Sequence, residues 1–130
     1  MRPLPIVAFG VVLACGAAHA DALRAVRPLP GYACMQLALT PEQLTDPKVG
    51  VPVRGAPSRD APIVGFAANT VIAQNPPQPK AGFLQVLRPN GEVGWIEAGY
   101  LRPWGNPFAP NSRCSPAIMS DGKPGFGAVR

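Results

Sequence analysis

Between residues 51 and 103 the chain alternates short apolar runs with clusters of turn-forming residues. Val51 to Arg54, Ile63 to Phe66, Thr70 to Gln74, Phe83 to Arg88, Glu92 to Ile96 and Tyr100 to Arg102 each read as a strand. The intervening stretches are GAPSRDAP, AAN, NPPQPKAG, PNG and EAG, composed of the residues that turns demand. Asn90-Gly91 between two such runs is the strongest short-range hairpin signal in the chain. Almost no run repeats with a helical period. Short strands with regular punctuation predict an all-β fold, a small barrel or sandwich.

The flanks have a different texture. Cys34 to Leu39 forms one more short apolar stretch that suits a strand. In TPEQLTDP, Thr40 is placed to cap a helix, Pro41 suits its first position and Gln43 completes a capping box. Pro47 ends it after one or two turns. Residues 21–32, with prolines at 28 and 30, read as a lead-in linker. Residues 105–130 are rich in Gly and Pro and are expected to form an irregular tail.

Residues 1–20 stand apart from the fold. A basic start at Arg2, an apolar run over Ile6 to Ala14 and the small-x-small end Ala18-His19-Ala20 have the layout of a signal peptide. The run is too short to span a bilayer, which takes about 20 apolar residues. Val12-Leu13-Ala14-Cys15 resembles a lipobox, so the alternative is a lipoprotein anchored through Cys15. Cleavage after Ala20 leaves a single domain of modest size, and no transmembrane helix remains. Its location is then periplasmic or secreted.

Export also decides the cysteines. Cys34 and Cys114 survive cleavage, and an even pair in an oxidising compartment is expected to bond. Closing about 80 residues, the bond contributes roughly 4–5 kcal/mol in the chain-entropy model. The formal net charge is +5, one less once Arg2 leaves, but the basic residues are scattered along the chain. No stripe forms, and no nucleic-acid partner is expected.

Taken in order, VPVRGAPSRDAPIVGFAANTVI and GFLQVLRPNGEVGWIEAGYL resemble the bacterial SH3-like (SH3b) domain family. The match runs through Val53, Arg54 and Pro57, an Ile-Val-Gly strand, a Thr-Val strand and Gly82-Phe83. It then continues through the Asn-Gly hairpin, Gly94-Trp95-Ile96 and Tyr100-Leu101. The resemblance implies a five- or six-stranded SH3-like barrel over residues 49–104, binding peptides, wall components or proteins without a cofactor. Residues 21–48 become an N-terminal extension carrying the helical turn, and 105–130 a tail tied by the disulfide. Glu97 and Gly99 stand where the eukaryotic branch has Pro and Asn, so a polyproline groove is not implied. PPQP and PFAP are read as rigid loops.

On this layout Ile96, Val93 and Leu101 are expected to face inward, with Gly94 at a bulge or close approach. Trp95 has the opposite parity and belongs outside, part covered by a terminal extension. Arg54 and Asp60 are expected to pair across their loop, and Phe108 and Phe126 to pack over an open end of the barrel. The candidate ligand-binding residues are Phe83, Tyr100 and Trp104, aromatics assigned to the outer face, with Arg102 beside them. No catalytic residue or metal site is expected. The only histidine leaves with the leader, and no zinc, calcium, phosphate-loop or nucleophile-elbow motif occurs. The sequence therefore reads as a non-catalytic binding module of the cell envelope, recognising a protein or a peptidoglycan peptide. The rival reading is a structural subunit of an envelope complex.

Overall fold

The computed structural model describes residues 2–6, 8, 10 and 22–129. Cys15, the Ala18-His19-Ala20 site and Asp21 lie outside them. Among the described residues ten strands follow one another: β1 (Ala25–Pro28), β2 (Tyr32–Leu37), β3 (Val51–Arg54), β4 (Ile63–Ala67), β5 (Thr70–Gln74), β6 (Phe83–Leu87), β7 (Val93–Glu97), β8 (Leu101–Pro103), β9 (Pro116–Met119) and β10 (Pro124–Phe126). A helical turn, α1 (Pro41–Thr45), sits between β2 and β3, and a 3-10 turn (Ala98–Tyr100) precedes β8. The strands make two antiparallel sheets: a large one in the order β4-β3-β7-β6-β5-β2-β8 and a small one in the order β1-β9-β10. The fold is all-β.

Local chemistry accounts for the joints. Thr40 Oγ1 accepts the Gln43 N–H at 3.2 Å and Gln43 Oε1 accepts the Thr40 N–H at 2.9 Å, the reciprocal capping box that the sequence signalled. The β6–β7 hairpin closes over Pro89-Asn90-Gly91. Gly91 sits at φ +88, where a side chain would be strained, and Asn90 Oδ1 takes the Glu92 N–H at 3.0 Å.

Inner-face parity builds the core. Leu37, Val51, Val53, Val71, Ala73, Val86 and Ile96 form one buried cluster, with Val64 of β4 and Leu101 of β8 packed against it. Those two strands are the opposite edges of the large sheet, roughly 29 Å apart if it were flat. Reaching one cluster from both edges requires the sheet to curl, although among the described residues neither sheet closes. Gly94 is central to the curl. A Cβ there would fall on Val53 Cγ1 and also crowd the Arg88 stem at 3.3 Å. It is a close approach without a bulge, since β6 and β7 keep regular register through it.

Three expectations are corrected. Val93 shares the parity of Trp95, not of Ile96, and is exposed. The lead-in segment is not all linker, because β1 pairs with β9. The tail is not irregular throughout: β9 and β10 form a hairpin turned at Asp121-Gly122, with Gly122 at φ +82 and Asp121 Oδ1 accepting the Lys123 N–H at 2.9 Å. Asp-Gly is the same kind of hairpin signal as Asn-Gly. The flanking runs are too short and too rich in Pro and Gly to announce themselves as strands.

The large sheet also takes a strand from residues 21–48, because β2 lies between β5 and β8. Its outer-face Cys34 stands opposite Ile72, and both are buried. The small sheet supplies a second layer there: β9 lies against β2, Ala117 is fully buried, and Cys34 is bonded to Cys114 with Cα atoms 6.0 Å apart.

Two outcomes follow from this packing. Gly94→Val should destabilise the fold by about 1–3 kcal/mol, as overpacked sites do, and urea unfolding measures it. Cys114→Ser should cost about 2–5 kcal/mol and speed amide exchange in β9 and β10 before β6 and β7. Equal exchange in both sheets would contradict the layering.

Candidate functional site

The four residues singled out by sequence fall into different settings. Phe83 is corrected: it has outer-face parity but is only 4% exposed. Segment 75–82 folds back beside it, and Lys80 and Phe83 exchange both backbone hydrogen bonds at 2.9 Å. Its ring belongs to the interior. Tyr100 ends the 3-10 turn with its residue 41% exposed, while its carbonyl accepts the Ala38 N–H at 2.8 Å. The backbone is anchored and the ring is presented. Arg102, opposite Gln36, is exposed on β8. Trp104 is half-buried beside the disulfide.

The long β3–β4 loop is fastened, but not as expected. Arg54 donates from Nη1 to the Ala61 carbonyl at 3.1 Å and does not pair with Asp60. Asp60 lies one residue past the loop's own ion pair, in which Arg59 Nε meets Glu97 Oε1 at 2.7 Å. Being exposed, that pair contributes little energy, yet it holds the loop against the start of the 3-10 turn. Across the outer face Arg54, Trp95 and Gln85 stand in register. Lys80 Nζ, on the β5–β6 loop, lies 5.8 Å from the centre of the Trp95 ring, a cation–π contact.

Among the grooves that the described residues form beside the sheets, two stand out by their linings. One, of about 530 Å³, is mainly apolar and lies where β4 and β5 part. Phe66, Val71, Ile72, Leu87 and Phe126 line it. Phe66 is 68% exposed, although in sequence it reads as one more strand residue. Phe126, 45% exposed, does reach this open side of the sheet. Phe108 does not: it is 97% exposed, held out in a turn where Asn106 Oδ1 accepts its N–H at 3.0 Å. The guanidinium of Arg88 crosses the groove wall, donating to the Val64 carbonyl at 2.6 Å and to Glu92 at 3.0 Å. The second groove, of about 540 Å³, is more polar. It runs along the disulfide between β2, the end of β5 and residues 112–115, with Trp104, Gln74, Asn75 and Arg113 in its lining. Tyr100 and Arg102 line neither groove.

Among the described residues no group of three or more His, Cys, Asp or Glu is placed to hold a metal ion. None of their helices is long and apolar enough to cross a membrane. Comparison with protein-family models, with curated proteins and with solved structures found no match.

The Arg88 contacts generate a test of how the apolar groove is held. Arg88→Ala should lower stability by about 1.5–3 kcal/mol, the range for hydrogen bonds to a charged group. It should also release the Gly65 and Phe66 amides to faster exchange, read by hydrogen–deuterium exchange.

Proposed function

We propose that this chain is an exported, non-catalytic binding module of the bacterial cell envelope, built on an SH3-like barrel with an open seam. It recognises a protein or a peptidoglycan peptide. The reading of the fold is supported by the strand order over residues 51–103 and by the single inner cluster that draws on both edge strands. The reading of location is supported by the Cys34–Cys114 bond, which oxidising compartments maintain. Cleavage after Ala20 then leaves the protein periplasmic or secreted, and lipidation at Cys15 is the alternative.

The observation that carries the binding reading is Tyr100. Tyr100 is 41% exposed on a backbone anchored by the Ala38 N–H, three residues beyond the Glu97 that meets Arg59 of the β3–β4 loop. Large area offered at little entropic cost is the signature of an interface anchor, and Arg102 adds hydrogen-bond donors beside it. The apolar groove with Phe66 and Phe126 favours a second reading, a structural subunit seated permanently in an envelope complex.

Pull-down against purified sacculi and against detergent-solubilised envelope separates the two. A wall binder is retained by sacculi, whereas a subunit co-purifies with one protein. Tyr100→Ala should weaken the retained interaction by about 1 kcal/mol or more while leaving the melting temperature near wild type. Unchanged binding by the folded variant would remove Tyr100 from the site. The N-terminal mass of the same preparation distinguishes a start at Asp21 from a lipidated Cys15.

A further inference from the structure

The polar groove has a donor set that neither the fold nor the proposed Tyr100 surface uses. Its lining comes from four separate parts of the chain, Pro103 and Trp104 among them. Ala33, Cys34 and Met35 belong to β2, while Gln74, Asn75 and Pro77 run from the end of β5 into the following loop. Residues 112–115 form the far wall, and the Cys34–Cys114 bond joins it to the near one.

None of the lining residues is acidic, and one is a cation, Arg113. Arg113 takes part in neither ion pair of the described residues, which join Arg59 to Glu97 and Arg88 to Glu92. Gln74 and Asn75 add side-chain amides, Ser115 a hydroxyl, and Trp104 a flat ring that is half-buried. Ser112 is the exception, since its hydroxyl already donates to the Ala109 carbonyl at 2.6 Å.

A planar guanidinium beside neutral donors, with no competing carboxylate, matches a single carboxylate bound through charge-assisted hydrogen bonds. A phosphate dianion would call for more than one cation. The indole gives an apolar surface for the residue next to that carboxylate, and the amides suit a peptide backbone. We infer that the groove between β2 and residues 112–115 binds the free C-terminal carboxylate of a peptide, with Arg113 as its counter-ion and Trp104 as its floor. This inference rests on the reading of the chain as a binding module and gives that module a ligand class.

The test uses the oxidised protein, acetyl-Ala-Ala-Ala with a free carboxyl terminus, and the same peptide amidated. Binding is followed through the Trp104 indole resonance in two-dimensional NMR, identified by its loss in Trp104→Phe. The free acid should bind at least tenfold more tightly than the amide. Arg113→Gln, a change at an exposed position, should bring that ratio to about one, whereas Lys48→Gln, outside the groove, should leave it unchanged. Equal binding of acid and amide by wild type, no binding of either, or a ratio that survives Arg113→Gln would each overturn the inference. Sacculi retained by wild type with an acid-to-amide ratio of one would sink the groove and spare the envelope reading. Loss of both envelope interactions with the ratio intact would do the reverse.

Discussion

Cys34 projects from β2 on the face opposite the main core, and its bond to Cys114 gives that face its cover. β2 is an interior strand of the large sheet, so its outer face has to be shielded as well as its inner one. The residues that do this make a sheet of only three short strands, two from the far end of the chain and β1 from just before β2. A sheet that small buries little apolar area of its own, and two-stranded pieces of it would be marginal in water. The covalent link removes much of the entropy that the tail would otherwise retain when unfolded. The same link brings residues 112–115 against the end of β5, so the layer and the polar groove share one cause.

Curling of the large sheet is the second constraint. Its strands are short, and one inner cluster has to serve all of them. Gly94 lets Val53 and the stem of Arg88 approach where any side chain would intervene. Arg88 then reaches from the end of β6 to the Val64 carbonyl on β4, a span of roughly 14 Å on a flat sheet. The pinned edge and the unclosed seam are two consequences of the same bend. Because β4 and β5 part there, inner-face Val71 and outer-face Ile72 both border an apolar groove, and Phe66 is left uncovered beside it.

Functional surfaces fall where these constraints leave side chains unsatisfied. Tyr100 is exposed because the 3-10 turn spends its backbone on Ala38 and gives its ring no partner layer. Trp104 follows β8 onto the disulfide side and becomes part of a groove wall. Phe83, of the same chemical type, is taken inside by the fold-back of Lys80. Aromatic identity alone did not separate these three residues. What separated them was the path of the loops on either side.

The sequence by itself determined the local structure of the central segment. Every strand between residues 51 and 103, the Thr40 capping box, the Asn90-Gly91 hairpin and the Cys34–Cys114 pairing could be read from residue type and spacing. Each except the cysteine pair depends on backbone preferences or on chemistry within a few residues. Inward and outward positions were legible where alternation was followed strictly, as for Ile96 and Trp95, and not at Val93, which shares the parity of Trp95. The tertiary structure alone decided that β2 enters the large sheet, that β1 finds β9 across most of the chain, and that Arg59 rather than Arg54 carries the loop's ion pair. It alone brought Gln74, Trp104 and Arg113 to one groove. Those are choices among distant partners with similar local preferences. They are settled by which arrangement buries both faces of a curled sheet at once, a condition that no short stretch of sequence encodes.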